Sequence, residues 1–487
     1  METQVKNYPM YLAGEWTEGV SESRTEAVSP ATGEVIGTVP EGTREDTRRA
    51  IAAANEAWPG WAALSAFERA AAMDRIAEVI EERREDLAWT LTLDQGKPLH
   101  AESYDEVDEL VEYFRMAAAD VTRLDGVMPP SVDAGKRVLL YQVPRGVVGV
   151  ISPWNWPYTM PAELLAPALA TGNAVVWNPA SSTAICSIKL AECIIEAGLP
   201  PGVFNVVTGA GSVVGDEICA NPGTQAVGFI GSVETGQSIA SRAAGKALIL
   251  EMGGNGPLVV LDDADLDAAA EATLDAAFLC AGQSCTAGER FLVHEKIHDA
   301  FLEKLLSALE RRIHLGDPFD PNTTMGPLNN ESTAIKMDEH VADALKHGAK
   351  LLNGGARAEG ATSLYYEPTV LDGVSDDMRV AREETFGPIV PITTIRDEEE
   401  ALRAVNTSPY GLLSAVFTQN LARGLRFAES VRTGWVNVNA TTNHWESHLP
   451  FGGRAGSLSG IGRVGGRHSM ETFTELKTVI LTLPKPD

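Results

Sequence analysis

The spacing of apolar residues along this chain changes near residue 147. Before that point, residues 44–120 carry apolar side chains at helical intervals, with an interruption at Gly96-Lys97-Pro98. After it, short apolar runs alternate with helical stretches, which is the pattern of βαβ units in a parallel sheet. These runs lie at residues 147–151, 174–177, 204–207, 226–230 and 247–250. The pattern predicts an α/β fold with a doubly wound parallel sheet of the nucleotide-binding kind.

Two predicted helices begin directly after strands of this sheet. One starts at about Thr183, where Ser181, Ser182 or Thr183 can cap it, and it ends at Gly198. The other follows residues 229–236. The free N–H groups and the positive dipole end of such a helix attract anions such as phosphates. Neither start contains the G-x-G-x-x-G motif, so each is weak evidence for a nucleotide by itself.

A second α/β pattern begins near residue 255. Two of its predicted strands and two of its predicted helices lie at residues 257–260, 290–294, 264–280 and 296–311. A polar segment, residues 125–142, and a short apolar run, residues 478–483, stand apart from both patterns. We interpret them as an extended arm and a tail strand. Because the tail has no partner nearby in the sequence, the two together predict pairing between subunits.

Length and charge narrow the class of protein. A chain of 487 residues is too long for one core and predicts two or three domains. Its net charge of -28 is spread over many helices, which argues against nucleic acid or an anionic membrane as a partner. Residues 1–11 resemble no signal peptide, and no apolar run reaches membrane-spanning length. Five irregularly spaced cysteines do not form a disulfide framework. The sequence therefore predicts a cytoplasmic protein.

Cys285 is the first candidate for chemistry. It lies between small residues in Gly282-Gln283-Ser284-Cys285-Thr286-Ala287-Gly288, with no second cysteine at metal or redox spacing. The alternative is a buried small apolar residue. A thiol has a reference pKa of ~8.5 and needs activation before it attacks well. Glu251, at the end of an apolar run, is a candidate base, and Asn155 is a candidate hydrogen-bond donor. Alone, these two residues could equally be a solvated carboxylate and a turn residue.

The pair His444 and His448, four residues apart around Glu446, suggests a metal site at first sight. No further ligand follows at a suitable spacing, so we expect no metal. The two alternatives that remain are the mouth of a substrate tunnel and a plain surface loop.

Taken together, the motifs resemble the aldehyde dehydrogenase superfamily, in its NAD(P)-dependent, non-acylating form, over nearly the whole chain. The matching segments occur in the family's order, at residues 153–155, 167–173, 229–236, 250–254, 282–285, 384–388 and 450–453. The resemblance implies three parts. These are a dinucleotide-binding domain at 1–124 and 148–254, a catalytic α/β domain at 255–453, and a small β oligomerisation element at 125–147 and 470–487.

The resemblance also implies roles for individual residues. Cys285 would be the nucleophile, Glu251 the general base, and Asn155 part of the oxyanion hole. The residues implied to bind the cofactor are Trp154, Asn178, Ser181, Gly209, Gly231, Ser232, Glu384 and Phe386. The residues implied to line the substrate tunnel are Trp156, Tyr158, Trp445 and His448.

The implied reaction is oxidation of a small-molecule aldehyde to a carboxylate with NAD or NADP, by a homodimer or homotetramer. A thiolate adds to the aldehyde carbon, and fixed donors stabilise the oxyanion that results. Loss of hydride leaves a thioester, which a water held by a base hydrolyses. One alternative is a CoA-acylating aldehyde dehydrogenase, in which a thiol replaces the water. The other is a nucleotide-binding scaffold without turnover.

Three departures from the family pattern bear on specificity. Asn178 and Ser181 stand where lysine and, in many NAD-preferring members, glutamate are usual, so the choice between NAD and NADP stays open. Glu163 stands where members acting on succinate semialdehyde carry arginine, and it would oppose an anionic substrate if it faced the tunnel. Arg454, in a stretch longer than usual, could bind an anion. Glu163 and Arg454 favour substrates of opposite charge, so the sequence does not specify the aldehyde.

Overall fold

A computed structural model describes residues 5–484 of the chain. Its α-helices are α1 Arg44–Ala62, α2 Ala66–Glu82, α3 Arg84–Gln95, α4 Tyr104–Val121, α5 Thr159–Ala170, α6 Ala184–Glu196, α7 Val214–Ala220, α8 Val233–Arg242, α9 Leu266–Phe278, α10 His298–Arg312, α11 Glu331–Lys346, α12 Arg379–Arg382, α13 Glu398–Asn406, α14 Leu421–Ser430 and α15 Gly466–Phe473. A π-helical turn, Leu99–Ser103, joins α3 to α4.

The strands are β1 Met10–Leu12, β2 Glu15–Thr17, β3 Arg24–Val28, β4 Val35–Pro40, β5 Lys136–Pro144, β6 Val147–Ile151, β7 Ala174–Asn178, β8 Phe204–Val206, β9 Ala226–Gly231, β10 Ala247–Met252, β11 Gly256–Val260, β12 Gly288–His294, β13 Lys350–Asn353, β14 Thr369–Asp372, β15 Ile389–Ile395, β16 Leu413–Phe417, β17 Trp435–Val438, β18 Gly460–Ile461 and β19 Thr474–Thr482. All of the strands predicted between residues 147 and 294 are present, within three residues of their predicted ends.

The first large sheet confirms the doubly wound prediction. Its order is β18-β10-β9-β6-β7-β8-β1-β2, and the five central strands run parallel. Strands β6 and β7 are buried at every residue, because helices cover both faces of the sheet. The chain leaves β6 toward β7 and later returns to its other side as β9, so the strand order reverses between β6 and β9. Ligands bind at such a reversal, outside the carboxyl ends of the strands.

The second large sheet confirms the second α/β unit. Its order is β13-β14-β15-β12-β11-β16-β17, with every pair parallel except β13 and β14. Helices α9, α10 and α11 supply buried apolar residues to its core. The segment that carries Cys285 connects α9 to β12 and therefore lies where the two large sheets meet.

The arm and the tail pair with each other inside the chain. Strand β5 and strand β19 form an antiparallel ladder from Lys136 and Thr482 to Pro144 and Thr474. The tail strand thus begins four residues earlier than predicted, and its partner is distant in sequence but near in space. Residues 485–487 of the predicted tail lie outside the described residues. In this ladder the side chains of Leu476 and Ile480 are 67% and 59% exposed.

Helix α5 leads away from the site into the core. All twelve of its residues are buried, including the carboxylate Glu163. It begins just after the segment that contains Trp154 and Asn155. Such a buried helix makes a rigid support. Burying a carboxylate in it costs free energy unless hydrogen bonds or a charge partner stabilise the group. Between residues 5 and 484, no helix has both the length and the apolar character needed to cross a membrane.

Candidate active site

A cavity of about 300 Å³ lies at the reversal of the first sheet and faces the second sheet. It brings together eight of the residues that the sequence singled out. They are Cys285, Glu251, Asn155, Trp154, Gly231, Ser232, Glu384 and Phe386. These residues come from the ends of β6, β9 and β10, from the segment before β12 and from the segment before β15. The fold therefore joins sequence motifs that lie up to 232 residues apart.

The segment before Cys285 has an unusual backbone. Cys280, Ala281 and Gly282 have φ angles of 53°, 51° and 73°, in the left-handed region that costs non-glycine residues roughly 1–2 kcal/mol each. A Cβ on Gly282 would lie 2.1 Å from the carbonyl oxygen of Gly387, so only glycine fits there. The backbone N–H of Cys280 donates to both oxygens of Glu102, at 3.1 Å each. This carboxylate holds the turn that presents Cys285.

Asn155 is tied to the same segment. It is 4% exposed, and its Nδ2 donates to the carbonyl oxygen of Gln283 at 2.9 Å. The Cys280 thiol donates in return to the carbonyl oxygen of Asn155, at 3.5 Å. Gln283 is itself held, because its Oε1 accepts from the backbone N–H of Asn329 at 2.9 Å. An amide nitrogen carries two hydrogens, so one remains for an oxyanion formed near Cys285.

Glu251 and Cys285 have the properties of an acid–base pair. Glu251 is 3% exposed, and its Oε1 has no hydrogen-bond partner among residues 5–484. Burial raises the pKa of Glu251 well above its usual value. Burial, and then the charge of Glu251, raise the pKa of the Cys285 thiol. Burial therefore disfavours the charged form of each group, and the ionised carboxylate, once formed, can accept the thiol proton.

The rings of Trp154 and Phe386 line another part of the cavity, and the carboxylate of Glu289 holds the backbone of Phe386. The ring of Trp154 meets the ring of Phe386 edge to face, with 5.7 Å between centroids. Phe386 has a φ of 61°, which a bulky residue adopts only when its surroundings hold it. Glu289 holds it, because its carboxylate accepts the backbone N–H groups of Thr385 and Phe386 at 2.7 Å each. Burial raises the pKa of Glu289 to about 8.

We expect Glu289→Gln to weaken the binding of the nicotinamide cofactor. An amide has one acceptor oxygen in place of two, so one N–H would lose its partner and Phe386 would leave its left-handed conformation. A buried N–H left without a partner costs about 1–3 kcal/mol, so the KM for the cofactor should rise about fivefold or more. Steady-state kinetics with varied cofactor measure this rise. The control is Glu295→Gln, an exposed carboxylate just beyond the same strand. An unchanged KM in Glu289→Gln would contradict the positioning role.

Glu384 approaches the backbone closely. Its Oε1 accepts from the N–H of Gly254 at 2.8 Å, and a Cβ on Gly253 would lie 2.3 Å from the same oxygen. The two glycines after β10 thus leave room for this carboxylate. Lys336, on α11, lies in the lining of the cavity and lowers the pKa of Glu384, against the larger effect of burial.

Three residues predicted to bind the cofactor lie outside this cavity. Asn178 is buried, and its Nδ2 donates to the carbonyl oxygens of Val207 and Gly209, at 3.0 and 3.1 Å. It therefore ties β7 to the loop after β8, and only its Oδ1 remains for another partner. Gly209 belongs to that loop. Ser181 lies in a short 3₁₀ turn before α6, and none of the three predicted caps of α6 forms a capping hydrogen bond.

A second cavity, of about 480 Å³, lies between α7 and α8. Its lining includes Gly211, Ser212, Asp216, Glu234 and Arg242. The start of α8 contributes to both cavities, because its cap Ser232 lines the first, and Glu234 and Thr235 line the second. The side chain of Ser232 accepts from the backbone N–H of Thr235. A dinucleotide that extends from one cavity into the other would therefore place its phosphate groups near the free N–H groups at the N-terminus of α8. An extended dinucleotide fits this arrangement.

The structure places Tyr158 outside the lining of the cavity at Cys285. This residue is fully buried, and its hydroxyl donates to the carbonyl oxygen of Leu87 on α3, at 3.1 Å. Its side chain points into the helical core because the N-terminus of α5 is fixed there: the N–H of Tyr158 donates to Glu106 at 3.0 Å. The ring of Trp156 is turned toward the same core and lies 3.1 Å from the buried ammonium of Lys97.

The remaining tunnel candidates lie in the loop after β17. The ring of Trp445 meets Phe451 edge to face, with 5.8 Å between centroids, and His448 has an exposed side chain. Nitrogen atoms of His444 and His448 lie 3.9 and 3.6 Å from Glu446. In the part of the chain that the structure describes, no group of three or more His, Cys, Asp or Glu residues could hold a metal ion. Arg454 is exposed, in a turn that follows this loop.

The sequence analysis missed three residues that shape the site. Gln283 and Glu289 lie within six residues of Cys285, but their roles depend on backbone groups brought in from Asn329 and Phe386. Lys336 lies on α11, 51 residues after Cys285, with no local pattern to distinguish it from a surface lysine. Only the long-range contacts identify these three.

Comparisons with known proteins agree with this geometry. A family model described as "Aldehyde dehydrogenase family" matches residues 16–479. The succinate-semialdehyde dehydrogenase [NADP(+)] of Escherichia coli is 38% identical over 474 residues, which cover 97% of each chain. The glutarate-semialdehyde dehydrogenase of Pseudomonas putida is 37% identical over 484 residues, which cover 99% of each. The crystal structure of succinate-semialdehyde dehydrogenase from Burkholderia pseudomallei has a TM-score of 0.95 at 38% identity and 99% coverage of both chains.

Proposed function

Because the chain belongs to the aldehyde dehydrogenase family, and oxidises an aldehyde to a carboxylate with NAD or NADP, we propose that Cys285 is its nucleophile. The observation that carries this proposal is the meeting of Cys285, Glu251 and Asn155 in one cavity. The overall reaction consumes an aldehyde, a water and the oxidised cofactor. It yields a carboxylate, the reduced cofactor and two protons.

In the first half of the reaction, Glu251 takes the thiol proton of Cys285, and the thiolate adds to the aldehyde carbon. The carbonyl oxygen becomes an oxyanion, which accepts hydrogen bonds from Asn155 and from the backbone N–H of Cys285. A single donor of this kind contributes about 10²–10³ in rate. NAD or NADP, when bound, accepts the hydride that leaves the substrate carbon. The acyl group then remains on Cys285 as a thioester.

Glu251 then releases the thiol proton to solvent, and in the second half its ionised carboxylate removes a proton from the water that attacks the thioester. The tetrahedral oxyanion forms again at Asn155, and its collapse releases the carboxylate and the Cys285 thiolate. Burial raises the pKa of Glu251, so its ionised carboxylate is a stronger base than an exposed one, which suits both proton transfers. A base in this position favours water over CoA as the acyl acceptor.

Cofactor binding is assigned to residues on both sides of the nucleophile. The ring of Phe386 and Glu384 would hold the nicotinamide and its ribose, and Gly231 and Ser232 would lie along the pyrophosphate, with Trp154. The second cavity, between α7 and α8, would take the adenosine. Ser181 and Asn178 lie outside both cavity linings, so they support neither cofactor over the other.

The domain roles follow from this assignment. Residues 1–124 and 148–254 would bind the dinucleotide, and residues 255–453 would carry catalysis. The ladder of β5 and β19, with Leu476 and Ile480 exposed, supports an oligomerisation element in a homodimer or homotetramer. A monomeric mass in sedimentation equilibrium would contradict that assembly. A cytoplasmic location stays a prediction from the sequence.

An assay of reduced-cofactor formation on a panel of aldehydes tests the proposal. Each aldehyde is run with NAD and with NADP, in the presence and the absence of CoA, and the product is identified. We expect a free carboxylate without CoA. Strict dependence on CoA would transfer the final step from Glu251 to an external thiol and overturn the second half of the mechanism.

A further inference from the structure

Lys97 is a buried cation that the mechanism above does not use. It lies between α3 and the π-helical turn, and its side chain is fully buried. Its ammonium donates to Oε2 of Glu106 at 2.5 Å, and the side chain of Glu106 is fully buried as well. Replacing such an ion pair with apolar residues of similar volume is often neutral or stabilising, because burial removes both charges from water. Stability alone therefore does not account for this pair.

Both members of the pair contact the segment that carries Asn155. The Lys97 ammonium lies 3.1 Å from the centroid of the Trp156 ring, and Trp156 directly follows Asn155. The Oε1 atom of Glu106 accepts the backbone N–H groups of residues 158–159, at 3.0 and 3.4 Å. One member thus holds the side chain next to Asn155, and the other holds the backbone a few residues further on. The ion pair therefore fixes the chain directly after Asn155.

Glu102, which lies four residues before Glu106, contacts the segment of the nucleophile. Its two carboxylate oxygens accept from the backbone N–H of Cys280 at 3.1 Å each, and Cys280 precedes the nucleophile by five positions. Burial raises the pKa of Glu102 to about 7, and the charge of Lys97 acts in the opposite direction. The charge of Lys97 therefore acts on two carboxylates, of which one holds the nucleophile's segment and the other holds the segment of Asn155.

The exact position of Asn155 matters for the reaction. Its Nδ2 donates one hydrogen to the carbonyl oxygen of Gln283, and the second hydrogen is the one assigned to the oxyanion. A donor of this kind is effective at about 2.7–3.1 Å from the oxyanion, so a small displacement of the backbone that carries it lowers the rate. The contacts of Lys97 and Glu106 lie directly beside that backbone.

We propose that Lys97 and Glu106 are positioning residues of the reaction, which hold Asn155 where its second amide hydrogen meets the oxyanion on the substrate. This inference rests on the proposed function, because it acts through the oxyanion role of Asn155. Neither residue lines the cavity at Cys285, so their effect passes through the segment of Asn155. Loss of the pair should therefore slow the chemical step and leave the affinity for the cofactor unchanged.

The test removes the two charges together. Removal of Lys97 alone would leave the Glu106 carboxylate buried without its partner, which is strongly destabilising. The paired variant, Lys97→Met with Glu106→Gln, keeps side chains of similar size, and the glutamine oxygen can still accept the N–H of Tyr158. The control is Lys189→Met, which removes a lysine paired with Asp86 at 2.8 Å. Lys189 lies on α6, a helix that contributes no residue to the cavity at Cys285.

Rapid mixing with one good aldehyde from the panel measures the rate of the first turnover, in which the oxyanion first forms. We expect this rate to fall by about tenfold in the paired variant, which is part of the 10²–10³ that one oxyanion donor contributes. The KM for the cofactor should stay within about twofold of the natural value. Alkylation of Cys285 by iodoacetamide displaces iodide and forms no oxyanion, so its rate should also be unchanged. Lys189→Met should match the natural enzyme in all three measurements.

A double-mutant cycle with Asn155→Ala separates a positioning role from a general structural one. If the pair acts through Asn155, adding the paired change to Asn155→Ala should slow the first turnover no further, because the donor that the pair positions is already absent. The same cycle with Glu106→Gln alone gives a second measurement. In that variant Lys97 keeps its contact with Trp156 and the nearby charge of Glu102, so a smaller loss is expected, with the same lack of additivity.

Each outcome decides the question. A natural rate of the first turnover in the folded paired variant would overturn the inference. Additive losses in the cycle, or an equal loss of turnover, cofactor affinity and alkylation, would also overturn it, because the pair would then support the fold as a whole. The same conclusion follows if neither variant folds. Absence of aldehyde oxidation in the natural enzyme would instead contradict the proposed function, and the role of Asn155 with it.

Discussion

Cys285→Ala is expected to abolish aldehyde oxidation while leaving cofactor binding nearly unchanged. The proposed reaction has no route without the thiolate, since hydride leaves only after a tetrahedral adduct forms on the sulfur. Loss of a nucleophile of this kind lowers turnover by about 10⁴-fold or more. The cofactor assignment does not involve the thiol, because Glu384 and Phe386 are held by Gly254 and Glu289. Initial rates measure the loss, and fluorescence titration with NAD(P)H measures the retained affinity.

The control for this variant is Cys193→Ala, a buried cysteine of α6 far from the cavity. It removes a thiol of the same burial without touching the reacting atoms, so it should keep its activity. Mass spectrometry of enzyme quenched during turnover should find the acyl group on Cys285. Retained turnover in Cys285→Ala, together with an unmodified thiol in the natural enzyme, would remove Cys285 from the reaction.

The architecture could be predicted from the sequence because local patterns determine it. Apolar runs of four or five residues, separated by helical segments, predict a doubly wound parallel sheet. The pairing partner of the tail strand could not be predicted from local patterns. Its partner β5 is about 340 residues away, and nothing in the periodicity of either segment identifies the other. Hydrogen bonds between distant strands depend on the whole fold.

Some site residues could likewise be identified from local sequence, whereas the direction of others depends on distant contacts. Cys285, Glu251 and Asn155 could be singled out because each lies at the end of a strand or in a motif of small residues. A residue after a strand end can turn toward the core as easily as toward the cavity, and Tyr158 turns toward the core. The direction of the Tyr158 side chain is set by Glu106 and Leu87, on helices that come about 50 to 70 residues earlier in the sequence. Glu163 was noted, but only the structure shows that it is buried beside Tyr113.

Glu251→Gln is expected to slow the hydrolysis of the thioester more than its formation. The amide keeps the shape of the side chain but cannot accept a proton, and general base catalysis contributes about 10²–10⁴ in rate. Rapid-mixing experiments should then show a burst of reduced cofactor, close to one per active site, followed by slow turnover. Because Glu251 also takes the thiol proton, the burst itself should be slower than in the natural enzyme. The control is Glu429→Gln, an exposed carboxylate on α14.

The pH profile gives Glu251 a second, independent test. Burial raises its pKa well above the usual value of a carboxyl, and the proposed base is the ionised form. The rate in the natural enzyme should therefore increase with pH up to that raised pKa and level off above it. Replacement by glutamine removes the titrating group, so the rising limb should disappear or pass to the Cys285 thiol, whose pKa is also raised. A variant with the same pH profile and the same steady-state rate would show that the proton goes elsewhere, and Glu251 would then be only a buried neighbour of the nucleophile.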